Sequence, residues 1–285
     1  MRAITVRAFG GPEVLEFGDV EEPEPGPGEV LVRVRAAGVN PADWKVRSGE
    51  LGVLGPAPLR LGYDFSGEAE GREVFGMWLT KWGAYAEYVA VPREALAPKP
   101  PSLDHVHAAA MPTAALTASQ ALADVAGKRV LIHAAAGGVG HIAVQIAKAR
   151  GAHVLGTARA ANHDFLRELG ADELIDYSAV DFTEAVRDVD LVYDLVGGSY
   201  GKRSLEVLAP GGILLDAQGN DAEGDPRYRR FYVRSSGEDL VRLTELVESG
   251  RLRVHVQETL PLADAEKAHE LSESGRVRGK IVLTV

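Results

Sequence analysis

Val130-Leu131-Ile132-His133-Ala134-Ala135-Ala136-Gly137-Gly138-Val139-Gly140 passes from an apolar run into a glycine-rich turn. The residues that follow continue it as a helix, with Val139, Ile142, Ala143, Ile146 and Ala147 recurring at the spacing of one helical face. A strand that enters a helix through glycines leaves main-chain N–H groups unpaired at the positive end of the helix dipole. The missing side chains let a pyrophosphate approach them closely. The pattern is A-x-x-G-x-x-G, with Ala134 in the first place, and by itself it fits an ordinary tight loop equally well.

Its surroundings decide between the two. Downstream, short apolar runs alternate with helical patterns: His153-Val154-Leu155, Glu173-Leu174-Ile175-Asp176, Leu191-Val192-Tyr193 and Ile213-Leu214-Leu215. That alternation predicts β-α-β units around a parallel, doubly wound sheet, and a dinucleotide at Ala136, Gly137, Gly138, Val139 and Gly140. The second predicted strand ends at Gly156-Thr157-Ala158-Arg159, where an NAD site places an acid for the ribose 2′-hydroxyl. Arg159 stands there instead and offers a fork of donors suited to a 2′-phosphate, with Tyr177 as a second donor. NADPH is therefore the expected cofactor. Asn162, Val196, Gly197 and Gln218 complete the expected nucleotide contacts on this side of the sheet.

Upstream, residues 1 to about 100 carry short alternating strands broken by Pro and Gly, such as Glu29 to Arg35 after Pro23-Glu24-Pro25-Gly26-Pro27-Gly28. After about Ser235 come a helical segment, Glu238 to Ser249, a second helix, and a last apolar strand from Lys280 to Val285. An end that looks like the beginning predicts that the two termini build one β-rich domain around an inserted one. The expected bounds are 1–105, 106–236 and 237–285.

Composition excludes several classes. The chain has 285 residues and a formal net charge of −10, so its overall field repels nucleic acid and anionic membrane surfaces. It contains no cysteine, which removes disulfides, thiolate nucleophiles and every cysteine-containing zinc site. The eight histidines show no shared metal-ligand spacing, and His133 reads as a polar strand-end residue beside the glycine loop. The N-terminus lacks the pattern of a signal peptide and no apolar span is long enough for a membrane, so a cytoplasmic location is expected.

Several landmarks occur in order along nearly the whole chain: Gly10-Gly11-Pro12-Glu13-Val14-Leu15, Ala37-Gly38-Val39-Asn40-Pro41-Ala42-Asp43, Gly62-Tyr63-Asp64-Phe65-Ser66-Gly67, Gly83-Ala84-Tyr85-Ala86-Glu87-Tyr88-Val89, the glycine turn, Leu169-Gly170-Ala171-Asp172 and Gly279-Lys280-Ile281-Val282-Leu283. In these the chain resembles the medium-chain dehydrogenase/reductase superfamily, in its zinc-less quinone oxidoreductase and alkenal/enone reductase branch. The resemblance implies a GroES-like β-rich catalytic domain built from both chain ends and a Rossmann domain between them. It implies NADPH-dependent reduction of a small quinone, or of an α,β-unsaturated carbonyl compound, in a homodimer. A dinucleotide sensor or structural protein without turnover is the reading from a different class.

Zinc-dependent members carry cysteine, histidine and cysteine where this chain has Asn40, Tyr63 and a residue near Pro112, so no metal site is expected. By the same resemblance Asn40 orients substrate or ribose, Tyr63 donates to the developing oxyanion, Thr117 approaches the cofactor and Lys280 reaches the pyrophosphate. Asp64 is expected to be structural, paired with backbone or a basic neighbour. Two segments are shorter than the family's: Glu68 to Glu73, and the region after Asn220.

Overall fold

The computed structural model describes residues 1–285, and the chain divides into two compact units, Met1–Leu116 with Ser235–Val285, and Thr117–Arg234. In chain order the first unit opens with β1 (Arg2–Val6), β2 (Leu15–Asp19), β3 (Glu29–Val39), β4 (Asp64–Ala69), β5 (Arg72–Met77), β6 (Tyr88–Pro92) and β7 (Leu96–Pro98). The second unit carries β8 (Arg129–Ile132), β9 (His153–Thr157), β10 (Glu173–Ile175), β11 (Val189–Asp194), β12 (Leu208–Asp216) and β13 (Tyr228–Arg230). The chain then returns to the first unit with β14 (Val256–Pro261) and β15 (Lys280–Thr284).

In the first unit the sheet runs β14-β15-β3-β4-β5-β7, with β6 also on β3, so the C-terminal strand pairs directly with an N-terminal one. Ile281 faces Val39 and Thr284 faces Ala36 in antiparallel register. Alternation along β3 sends Val30, Val32 and Val34 into a core with Phe65, Tyr85, Val89, Leu260, Ile281 and Leu283. The short segment between β4 and β5 is a hairpin in which Ala69 faces Arg72. Its two loop residues, Glu70 and Gly71, both have positive φ, 50° and 76°, as a two-residue turn between twisted strands requires.

The second unit holds one all-parallel sheet in the order β10-β9-β8-β11-β12-β13. Renumbered from β8, this is the 3-2-1-4-5-6 order of a dinucleotide-binding sheet, whose strand order reverses between β8 and β11. Leu131, Leu155, Val192 and Leu214 on adjacent strands share one core, as near-continuous apolar runs on a sheet covered on both faces must.

The first division between units lies at Leu116/Thr117 rather than near residue 105. The helix His105–Ala110, capped by Asp104, buries Ala109 and Ala110 against Ala36 of β3 and Val282 of β15. That apolar seam ties the segment to the first unit. No helix of the chain is long and apolar enough to cross a membrane.

Candidate functional site

In the second unit the glycine turn connects β8 to the helix Gly140–Ala149. The Ala135 amide donates to the Thr157 carbonyl at 3.0 Å and the Gly137 amide to the Ala134 carbonyl at 2.9 Å, which fold the turn back on itself. Ala134 takes a φ of 50° to begin it. A Cβ on Gly140 would lie 2.3 Å from the Ala134 carbonyl oxygen, so only glycine admits so close a pass of helix and turn. The amides of Gly138 and Val139 donate to no group of the chain. Two free donors at a helix start are the provision a pyrophosphate needs.

Beyond β9, the Arg159 Nε donates to the Tyr177 hydroxyl at 3.1 Å, and both side chains are exposed. The two residues expected to share a 2′-phosphate thus form one pair. Asn162 ends the short 3-10 turn that follows, half-buried. Thr117 is buried, and its carbonyl accepts from the Tyr193 hydroxyl at 3.3 Å.

The ends of β11 and β12 are shaped by two buried carboxylates that the sequence reading left unassigned. Asp194 accepts from the amides of Val196 and Gly197 at 2.8 and 3.0 Å and from Asn220 Nδ2 at 2.8 Å. Burial raises the Asp194 pKa. Asp216 accepts from the amides of Gln218 and Gly219 at 2.7 and 2.9 Å, from the Tyr228 hydroxyl at 2.8 Å, and pairs with Arg230 at 3.2 Å. Each aspartate turns the chain sharply at a strand end, and so presents Val196, Gly197 and Gln218 there. An Asp closing an apolar run three residues before Gly is the signal that could have found them.

His133 is fully buried at the end of β8, with its ring nitrogens 3.1 Å from Thr157 Oγ1 and 3.1 Å from Ser204 Oγ. Burial, reinforced by Arg203, pushes its pKa down to about 3, so the imidazole is neutral. Its place matches the strand-end role expected of it.

In the first unit Asn40 caps the helix Pro41–Arg47, and its amide donates to Asp43 Oδ2 at 2.7 Å. Asp43 Oδ1 accepts from the Gly62 amide at 2.9 Å, so one buried carboxylate ties the Asn40 turn to the segment that carries Tyr63. Burial pushes its pKa up to about 7. Asn40 Nδ2 donates to Asp64 Oδ2 at 2.9 Å, while Asp64 Oδ1 accepts from the amide and hydroxyl of Thr113 at 2.7 and 2.6 Å. The Tyr63 hydroxyl is buried without a hydrogen-bond partner, and its pKa is raised by burial and by Asp43.

Lys280, expected at the pyrophosphate, lies in the first unit. Its side chain is buried, and the ammonium donates to Asn40 Oδ1 and lies 3.4 Å from Asp64 Oδ2. Two of its three donors are therefore held by the Asn40–Asp64 network of the first unit.

Zinc is the metal that this type of fold implies, and the residues present do not fit it. Asn40 and Tyr63 are neutral, the Lys280 ammonium already places a positive charge on Asn40, and no three His, Cys, Asp or Glu side chains are gathered as ligands.

A parallel dinucleotide sheet inserted in a mainly antiparallel domain made from both termini defines a two-domain dehydrogenase or reductase. Comparison with known proteins makes this specific. Residues 26–73 match the alcohol dehydrogenase GroES-like domain, and residues 169–283 match the family described as zinc-binding dehydrogenase. The quinone oxidoreductase of Pseudomonas aeruginosa is 33% identical over 99% of both chains. The chloroplastic NADPH-dependent alkenal/one oxidoreductase of Arabidopsis thaliana is 32% identical over 99% of this chain and 79% of its own. The solved quinone oxidoreductase from Coxiella burnetii is 37% identical with a TM-score of 0.93, covering 100% of this chain and 99% of that one. The chain belongs to the medium-chain dehydrogenase/reductase superfamily.

Proposed function

We propose that this protein is an NADPH-dependent reductase that transfers hydride, without a metal, to a small quinone. The same chemistry extends to α,β-unsaturated carbonyl compounds, a reading favoured by the likeness to the alkenal/one oxidoreductase. The observation that carries the proposal is the Arg159–Tyr177 pair beyond the second strand of a Rossmann sheet, where a carboxylate would select NADH.

Within it, the amides of Gly138 and Val139 bind the pyrophosphate, and the Arg159 guanidinium with the Tyr177 hydroxyl binds the 2′-phosphate. When bound, NADPH supplies the hydride. Reduction leaves negative charge on a substrate oxygen, which must be stabilised and then protonated. The unpartnered Tyr63 phenol is the donor for that oxygen, kept protonated by its burial and by Asp43. Asn40 has one Nδ2 hydrogen left for substrate or ribose, and the Lys280 ammonium on its oxygen strengthens that donor. Lys280 thus supplies, through an amide, part of the positive field that zinc supplies in metal-dependent relatives.

Steady-state kinetics of Arg159→Ala with NADPH and NADH test the proposal. The KM for NADPH is expected to rise about tenfold or more, the low end for a hydrogen bond to a charged group because the site is exposed. The KM for NADH is expected to stay as it was. Equal effects on both would reject the 2′-phosphate assignment, and NADPH binding without oxidation by any quinone or enone would favour a non-catalytic nucleotide binder.

A further inference from the structure

Arg60 lies between Leu59 and Leu61, both core residues, and is itself 6% exposed. Its Nε and Nη1 are buried and have no hydrogen-bond partner, and no carboxylate forms a salt bridge with it. Burial lowers its pKa. Among the chain's buried charged side chains this lack of a partner is unusual. Arg47 reaches Glu273, and Lys280 reaches Asp64. A guanidinium taken out of water without a counter-ion is costly and persists where something outside the fold pairs with it.

The surroundings say what that partner is. The Arg60 guanidinium carbon lies 5.4 Å from the ring centre of Trp82, and Lys81 Nζ lies 5.5 Å from the same ring. The Arg60 amide donates to the Lys81 carbonyl at 2.9 Å, which locks the two strips of chain together. Trp82 is 45% exposed, so this planar wall with two cations beside it faces solvent. Arg60 precedes Tyr63 by three residues, at most about 11 Å of chain.

We propose that Arg60, backed by Trp82 and Lys81, binds a carboxylate on the substrate, so that the preferred acceptors are unsaturated keto acids or quinone acids. The inference rests on the reductase reading for its substrate and on the unpaired guanidinium for its site. A planar fork of donors matches the two oxygens of a carboxylate.

Two measurements separate the two dependencies. In the first, NADPH oxidation is followed with (E)-4-oxopent-2-enoic acid and with its methyl ester, which share a skeleton and differ by one charge. The native protein is expected to prefer the acid by about 10- to 100-fold in kcat/KM, the range of one charge-assisted hydrogen bond. In Arg60→Met the acid-to-ester ratio is expected to fall to about one or below, and in Arg60→Lys, which keeps the charge and loses the fork, to lie between. In the second, calorimetry with 4-oxopentanoate reads the site without turnover: saturable binding to the native protein, weakened about tenfold or more in Arg60→Met. If neither compound is reduced but calorimetry shows Arg60-dependent binding, the reductase reading fails and the anion site stands. If the native protein treats acid and ester alike, or if Arg60→Met binds 4-oxopentanoate as the native protein does, the site is overturned.

Discussion

Acidification should act on the second unit through His133, and the size of the effect follows from its surroundings. The ring is fully buried between the hydroxyls of Thr157 and Ser204, with Phe182 and Tyr200 edge-on at 4.6 and 5.0 Å and Arg203 as the nearby cation. Burial in these surroundings, and then the Arg203 charge, disfavour a charged ring, which is why its pKa falls from 6.5 to about 3. Folding therefore expels a proton that the unfolded chain binds below pH 6.5. The stabilisation is fully present above pH 6.5, shrinks as pH falls, and is gone below pH 3, for a total of about 5 kcal/mol. Between pH 7 and pH 5 the loss is about 2 kcal/mol. Asp43 works in the opposite direction, since its pKa is raised to about 7 and its burial costs less as pH falls toward 4. A comparison that removes only His133 cancels that contribution. His133→Gln keeps polar atoms for Thr157 and Ser204 and cannot become charged in this range. Guanidinium unfolding followed by circular dichroism at pH 7 and pH 5, at one ionic strength, gives the stability gap between native protein and variant. The gap is expected to narrow by about 2 kcal/mol at pH 5. Two curves that stay parallel would show that His133 is solvated or already charged in the folded protein, and the account of a neutral, dry strand end would be wrong.

Other substitutions probe the remaining pieces. Gly140→Ala puts a methyl group 2.3 Å from the Ala134 carbonyl oxygen and should cost about 1–3 kcal/mol of stability, with a loss of NADPH affinity measurable by calorimetry. Lys280→Met leaves the Asp64 carboxylate buried without its cation and should destabilise by about 3–5 kcal/mol, while adding Asp64→Asn should restore much of that. Trp44, Trp78 and Trp82 all lie in the same unit as this pair, so tryptophan fluorescence against denaturant reports it. Tyr63→Phe should lower turnover about 100-fold with quinone and enone alike, yet leave stability equal or higher, because the hydroxyl it removes is buried and unpaired. Unchanged turnover would assign the proton to solvent.

What could be read in advance, and what could not, has a common physical origin. The parallel sheet was legible because strands covered on both faces leave unbroken apolar runs, and all five expected runs became strands of one sheet. The glycine turn was legible because close approach of main chain admits one residue type, as Gly140 shows. The Ala-rich segment around His105–Ala110 was not, since small residues carry no face signal strong enough to say which sheet they cover.

The partners of charged residues inside apolar stretches were not legible for a related reason. A charge on a strand flanked by hydrophobic neighbours reads as pointing to water, but β15 is buried on both faces, with Ile281 and Leu283 in one core and Val282 in another. Lys280 shares the parity of Val282, so it had no route to solvent and could only end on an internal acceptor, which Asn40 and Asp64 provide. Arg60, between buried Leu59 and Leu61, is hidden in the same way. The difference between the two is that Lys280 found an acid inside the fold and Arg60 did not. Sequence shows neither outcome, because pairing across the domain is set by strands far apart in the chain. The residue left unpaired is the one for which a partner must be sought outside it.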